Sequence, residues 1–276
     1  MGLPVKYYVN LKSSIHPDQI TDRTQYHPQI LELQLFPEDM NDPEKIIALI
    51  RSLHNHNIRV YLHHPMRFQG EFYDLLSTDS AMVAALYQDA HLLDRICRTT
   101  NVYCVFHLHY GTGPSAQIDQ SNTTWLRERS KQLGKALMHL LQELGYHTAK
   151  ESFFLFENST IGLFSCENPY WLEAIVKPFD LPVCMDTSHA LIALHGDLLA
   201  FDRWMHAIQP YVCYYHVVDS VGTNGHDALP LGEGRIDWSR YKAQITKHDF
   251  IFEIGLHDQL DCTMMITSGQ YFTSLA

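Results

Sequence analysis

The chain has 276 residues, of which 46% are hydrophobic, enough to fill the core of one α/β barrel of the usual ~250 residues. Its formal charge of −11, from 20 basic and 31 acidic residues, weighs against nucleic-acid binding, which draws on Lys and Arg to neutralise phosphates. No apolar run approaches the ~18 residues of a membrane span, and Met1–Asn10 lacks the basic start and apolar centre of a signal peptide, so a cytoplasmic protein of one domain, 1–276, is expected.

Eight short apolar runs are expected as strands: Val5–Val9, Ile30–Phe36, Ile58–Leu62, Val102–Phe106, Phe153–Phe156, Pro182–Met185, Val212–Tyr215 and Phe250–Phe252. Near-continuous hydrophobicity suits parallel strands buried on both faces. Within the second run, Glu32 and Gln34 share one face by alternation and are candidates to point into the barrel. Helical patterns separate the runs. Asp42 caps a helix that begins at Pro43, with Ile46, Ile47, Leu49, Ile50 and Leu53 at helical spacing. Thr123–Leu144 carries a leucine stripe that ends at Gly145. Ala190–Met205 and Asp237–Thr246 read as two further helices. Regular strand–helix alternation predicts α/β architecture, a single (β/α)8 TIM barrel. No GxGxxG follows the first run to suggest a dinucleotide fold. The six cysteines, Cys97, Cys104, Cys166, Cys184, Cys213 and Cys262, form no CxxC pair and read as small buried hydrophobes. Tyr110–Asn122 and Ser220–Gly234 are the least regular segments. Each follows a strand and is a candidate lid.

Four successive late strands run into side chains able to ligate metal: Glu157, Asp186, His216 and Glu253. In a barrel these ends converge on one mouth. Three carboxylates and an imidazole brought together would repel one another or lose solvation, and a divalent cation resolves both costs. The oxygen-rich set suits Mn²⁺, Mg²⁺ or Zn²⁺. His63 or His64 ends the third strand and His107 or His109 the fourth, while His54, His56, His91, His139, His195 and His206 fall on helical patterns as surface or packing residues.

The strand ends, together with DTSHA at 186–190, HVVDS at 216–220 and LGEGRIDW at 231–238, resemble the xylose isomerase-like barrel superfamily, most strongly over 150–255. That superfamily includes sugar isomerases, ketose 3-epimerases, hydroxypyruvate isomerases and endonuclease IV. The resemblance implies that Glu157, Asp186, His216 and Glu253 hold one metal. It also implies that Glu157 and Glu253 exchange a proton with substrate carbon on either side of an enediolate. His189 resembles the histidine that contacts substrate oxygen or a second metal. The substrate expected is a small sugar or hydroxy-ketone. The acidic balance weighs against a phosphorylated one, although a few loop cations would suffice.

Endonuclease IV is the competing resemblance, and it would make the chain a metal-dependent phosphodiesterase on abasic DNA. His109-Tyr110-Gly111 looks like its His-Pro-Gly segment, and His64, His107 and His109 are candidates for extra ligands. Its Asp-x-His pair before the Gly-x-Gly turn is replaced here by His226 and Ala228, which argues against a three-zinc site, and His226 is kept with the other histidines as a candidate for a second metal or for substrate. A two-metal site bridged by Glu157, with help from His109 and His189, stays open. So do a multi-iron oxidase on the same barrel and a homo-oligomer, whereas the retained ligand set argues against a barrel that binds a small molecule without catalysis.

Overall fold

The computed structural model describes residues 7–107, 118–223 and 227–276. Eight parallel strands close into a barrel: β1 (Asn10–Ser14), β2 (Ile30–Gln34), β3 (Arg59–His63), β4 (Tyr103–Phe106), β5 (Phe154–Glu157), β6 (Val183–Asp186), β7 (Val212–Val217) and β8 (Asp249–Phe252). The ring is completed by β1 pairing with β8 at Leu11↔Phe252. Around it lie α1 (Pro17–Thr24), α2 (Pro43–Asn55), α3 (Ser80–Thr100), α4 (Thr123–Glu143), α5 (Lys177–Phe179), α6 (Thr187–Ala193), α7 (Leu198–Ile208), α8 (Trp238–Ile245) and α9 (Thr263–Ser274). A two-stranded hairpin, Arg67–Phe68 with Glu71–Phe72, follows β3. Among the described residues no helix is long and apolar enough to cross a membrane.

Two sequence expectations fail for physical reasons. The first strand is Asn10–Ser14, not Val5–Val9. Its residues pair with β2 at Lys12↔Glu32 and Ser14↔Gln34, so its inward face is polar and a search for apolar runs passes it by. Ala190–Met205 is not one helix. The chain leaves α6 through His195 (φ 52°) and Gly196 (φ 77°), and Asp197 restarts α7 by accepting from the Leu199 and Ala200 amides, each at 3.0 Å. Gly196 lies against Gly222, where an added Cβ would come within 2.5 Å of the Gly196 Cα, so the two backbones meet only because both residues are glycine. The expected caps hold. Asp42 accepts from the Lys45 amide at 3.1 Å, and Gly145 (φ 88°) ends α4 just beyond Leu144. All six cysteines are free. Five are buried, and Cys213 lies exposed on the outside of β7.

The barrel interior is layered by the period-two alternation of strands. Ile30, Tyr61, Val105, Leu155, Cys184, Tyr214 and Ile251 form an apolar floor inside the barrel, in which the Tyr61 and Tyr214 rings stack at 4.2 Å. Two residues further along the same strands come Glu32, His63, His107, Glu157, Asp186, His216 and Glu253. On β1 the equivalent step leads from Asn10 to Lys12. One polar side chain per strand therefore stands above the floor, at the C-terminal end of the barrel.

The loop after β7 is fixed from below rather than free. The fully buried Asp219 accepts from the amides of Ser220 (2.9 Å), Gly232 (2.9 Å) and Ile236 (3.2 Å) and from the Trp238 indole (2.9 Å). This explains LGEGRIDW: Gly232 takes a left-handed conformation (φ 91°), and a Cβ at Gly234 would strike Asp219 Oδ1 at 2.2 Å. The described part of Ser220–Gly234 is thus a strapped loop, while the expected lid at Tyr110–Asn122 lies largely outside the described residues. Asp219→Ala strips several buried donors of their acceptor. It is expected to cost about 3 kcal/mol or more in a chemical denaturation measurement. A loss below about 0.5 kcal/mol would show that Asp219 does not hold this loop.

Candidate metal centre

Glu157, Asp186, His216 and Glu253 converge, with donor atoms all within 4.8 Å of one another. Their placement follows from pairing and capping. Asp186 is in register with His216 across β6 and β7, so the two side chains lie next to each other. Asp186 also caps α6, its Oδ1 accepting the His189 amide at 2.6 Å, which sets His189 one turn beyond it. Asn158 clamps the start of this segment. It donates to the Asp186 carbonyl (2.9 Å) and accepts from the Asp186 amide (2.8 Å). Thr187 ties β6 to β7 by donating to the Val218 carbonyl at 2.8 Å.

The protonation of His216 is set by Glu32. Its Nε2 lies 2.8 Å from Glu32 Oε2, with both side chains fully buried. A carboxylate only accepts, so Nε2 carries the hydrogen and the lone pair sits on Nδ1. That lone pair faces Glu253 Oε2 at 2.6 Å, Glu157 Oε1 at 3.2 Å and Asp186 Oδ2 at 3.9 Å. Neither His216 Nδ1 nor Glu253 Oε2 has a hydrogen-bond partner, although both atoms are buried. Opposed lone pairs at such distances require a cation between or upon them. Burial opposes the charge of His216, but Cys184, Glu32, Glu253 and Glu157 outweigh it and raise its pKa well above the ordinary value. A proton or a metal ion would satisfy that demand. The carboxylate–imidazole–cation order is the arrangement that orients a metal-binding histidine.

A second group of donors shares Glu157. His63 Nε2 lies 3.2 Å and His107 Nε2 2.8 Å from Glu157 Oε2. His63 Nδ1 donates to the His64 carbonyl at 3.0 Å, which leaves its Nε2 lone pair directed at the carboxylate. His189 Nδ1 donates in the same way to the Asn158 carbonyl at 2.9 Å and lies 3.3 Å from Glu157 Oε1. Burial pushes His107 down to about 4, which keeps it a neutral, donor-ready imidazole. Burial would raise the proton affinity of Glu157, but His107 and His216 overcome it and hold the carboxyl well below its usual range. Asp186 goes the other way. Burial, reinforced by Glu157 and Glu253, pushes it up to about 6 despite His189.

Among the expected residues, the structure brings together Glu157, Asp186, His216, Glu253, His189 and His107. His109 and His226 lie outside the described residues. His64 is corrected: it is its neighbour His63 that faces the site. Alternation turns His64 outward, where its ring stacks on Phe106 at 4.3 Å and its Nδ1 accepts from the His107 amide at 3.3 Å. His54, His56, His91, His139, His195 and His206 are exposed; His54, His91, His139 and His206 lie on helices as expected, whereas His56 and His195 lie just beyond helix ends. Lys12 is the residue sequence reasoning missed. Its Nζ lies 2.5 Å from Glu253 Oε1 and 3.4 Å from Glu32 Oε1. Burial opposes its charge, but Glu253, Glu32 and Glu157 more than compensate and raise its pKa. Alternation from Leu11, once β1 is placed, is the signal that finds it.

His63, His107, Glu157, Asp186, His189 and Glu253 line a cavity of about 230 Å³, bounded on one side by Met66 and by Arg67 and Phe72 of the hairpin. A larger cavity of about 460 Å³ opens at the opposite end of the barrel beside Asn10, Arg59 and Asp249, away from the donor groups. Removing the Glu32 carboxylate should leave His216 free to change tautomer and orientation. Glu32→Ala is expected to keep the barrel's circular dichroism and to weaken divalent-metal affinity about 10–100-fold in a chelator-competition titration. Unchanged affinity would mean that His216 is not oriented by Glu32.

No curated protein matches this sequence. Three solved structures share its overall shape at low identity. A D-tagatose 3-epimerase-like protein has TM-score 0.69 and 13% identity, covering 96% of each chain. An L-ribulose 3-epimerase has TM-score 0.65 and 14% identity, covering 97% of this chain and 94% of its own. The IOLI protein, whose structure holds a zinc atom, has TM-score 0.61 and 14% identity, covering 92% of this chain and 90% of its own. The family model described as xylose isomerase-like TIM barrel matches residues 29–259, so the chain belongs to the xylose isomerase-like TIM barrel family.

Proposed function

We propose that the protein is a divalent-metal-dependent isomerase or epimerase that moves a proton on a small sugar or hydroxy-ketone. The observation that carries this reading is the convergence of His216 Nδ1 with the carboxylates of Glu157, Asp186 and Glu253, three groups that also line a cavity sized for a small molecule. The sugar epimerases of similar fold agree with it. The donors fit Mn²⁺, Mg²⁺ or Zn²⁺, held by Glu157, Asp186, His216 and Glu253. Such an ion would polarise a substrate carbonyl and stabilise the negative charge that develops when the neighbouring carbon loses its proton.

The chain's own residues would then divide the work. Glu253, with 28% of its side chain exposed, is the carboxylate most open to substrate and takes a proton from carbon. Lys12 holds Glu253 Oε1, leaving Oε2 directed into the site. Glu157 reaches the same cavity from β5 and, as an ionised carboxylate, would relay a proton drawn from solvent to carbon on the other side, while Glu253 gives its own proton back to solvent. His189, whose Nδ1 is fixed by the Asn158 carbonyl, turns its Nε2 lone pair away from that bond as an acceptor for a substrate hydroxyl. Positioned acid/base catalysis of this kind typically adds about 10²–10⁴-fold. Glu253→Gln is expected to retain the fold and lose nearly all turnover, whereas His189→Ala loses less, chiefly through KM. Turnover of a ketose in deuterated water should place deuterium on the carbon inverted or isomerised. Efficient turnover with no label in product would point to hydride transfer between carbons and remove these glutamates as the proton-transfer pair.

One observation favours a second reading. His63 and His107 add donors on the far side of Glu157, so a two-metal centre bridged by this carboxylate would have its side chains in place. Paired metals suit phosphodiester hydrolysis, as in the endonuclease IV comparison. Elemental analysis of the purified protein separates the two. The isomerase reading expects about one ion per chain, unaffected by His63→Ala. A stoichiometry near two that falls to one in that variant, with incision of an abasic duplex, would promote the hydrolase.

A further inference from the structure

We infer that the substrate carries an anionic terminal group, a phosphate ester or a carboxylate, and that Arg67 is the residue that binds it. The inference rests on the small-molecule reading above and adds its substrate class. The hairpin after β3 is built to hold one side chain in place. Gln69 (φ 50°) and Gly70 (φ 90°) form its two-residue turn with positive φ at both central positions, the tight turn that matches strand twist. Register places Arg67 opposite Phe72, and the guanidinium lies 3.8 Å from the centre of the Phe72 ring. Arg67 Nη1 donates to the Gly70 carbonyl at 2.6 Å. Stacking and this bond fix the plane of the guanidinium while leaving most of its donors unspent.

Two facts turn a stacked surface arginine into a binding group. First, Arg67 lines the cavity that holds Glu157, Asp186 and Glu253, yet among the described residues no carboxylate pairs with it. A cation kept beside an acidic site and left without a counter-ion is available to an incoming anion. Second, among the described residues it has no substitute: no other Lys or Arg of these lines the cavity, and segments 108–117 and 224–226, which follow β4 and β7 in the sequence, contain neither residue type. Lys12 is committed to Glu253 and Glu32. A cavity of about 230 Å³ holds roughly eight water volumes, which suits a short chain with its reacting carbons at the carboxylates and its anionic end at the hairpin. The chain-wide charge of −11 argued against phosphorylated sugars, and this local cation reverses that argument for one end of one cavity.

The test is calorimetric titration of the Mn²⁺-loaded protein with ribulose, with ribulose 5-phosphate, and with the analogue in which that terminal carbon is a carboxylate. Inorganic phosphate serves as the control for binding to the metal alone. The wild type is expected to bind at least one of the charged ligands about tenfold or more tightly than ribulose. Arg67→Ala should remove that preference while changing ribulose affinity by less than about threefold, and Arg67→Lys should restore part of it. The charged ligand that shows the larger loss identifies the terminal group. Equal affinity of the wild type for charged and neutral ligands, or an equal loss for both in Arg67→Ala, overturns the inference. Because binding is read directly, failure to see deuterium exchange with any ligand would count against the proposed reaction and leave the Arg67 result to stand on its own.

Discussion

A carboxylate taken out of water must be met by positive charge or by hydrogen-bond donors, and Glu157 makes that demand near the axis of this barrel. Only 1% of its side chain is exposed, and imidazoles of His63, His107, His189 and His216 approach it at 2.8–3.3 Å. Three of those rings have their hydrogen committed elsewhere, His189 to the Asn158 carbonyl, and two of the three face Glu157 with the other ring nitrogen. His63 gives its Nδ1 hydrogen to a backbone carbonyl and His216 gives its Nε2 hydrogen to Glu32, so each turns a lone pair toward Glu157. The arrangement is short of positive charge. Among the described residues Lys12 is the only fixed cation in the polar layer, against the carboxylates of Glu32, Glu157, Asp186 and Glu253. With neutral imidazoles the layer carries an excess of negative charge, a balance that divalent cations would correct and that would otherwise raise the protonation of its histidines.

The barrel makes this deficit tolerable by separating it from the rest of the core. The apolar floor beneath closes the interior with side chains from Ile30 to Ile251, including the stacked Tyr61 and Tyr214 rings. Below it, Tyr61 turns its hydroxyl to Asp249 at 2.8 Å, at the other mouth. Water therefore has access to the charged layer chiefly from the hairpin side, and the electrostatic interactions there act in a weakly screened setting. The same parity rule that seals the floor supplies the site. A residue that packs into the floor fixes its neighbour two positions on as a site residue, and one step of register error would send every ligand into the helices instead.

That rule also explains what was legible in the sequence. The late strands β5 to β8 are apolar and end abruptly in an ionisable residue, so Glu157, Asp186, His216 and Glu253 stood out. The early strands carry the same polar layer without that contrast. In β1, Asn10, Lys12 and Ser14 face inward and no apolar run marks the strand, so the expectation fell on Val5–Val9 and Lys12 went unseen. In β3 two adjacent histidines end the strand, and composition does not distinguish the inward His63 from the outward His64, whereas alternation from Tyr61 does. Helix boundaries were legible where a cap or glycine marked them, as at Asp42 and Gly145. They failed at His195–Gly196, where an internal break depends on Gly222 from another loop, a contact no local pattern encodes.

The two glutamates that share the ligand set are held in different ways, and the difference bears on chemistry. Glu157 is locked on both oxygens by rings from β3, β4, β7 and α6, and its freedom to rotate is small. Glu253 lies just beyond the end of β8 and is 28% exposed, with Lys12 on Oε1 and a single ring, His216, against Oε2. Burial works against its charge, but Lys12 and His216 outweigh that and keep it a carboxylate. A group that must reach toward a substrate carbon and withdraw needs a fixed charge state together with room to move, and Glu253 has both. A group that must hold a cation in place needs rigidity, which Glu157 has from its surrounding imidazoles. Substrate would therefore meet a rigid wall on the β3–β5 side of the cavity and an adjustable carboxylate on the β8 side. The asymmetry follows from strand ends, since Glu157 is the last residue of its strand, still paired with β6 at Cys184, and Glu253 is the first residue of a loop.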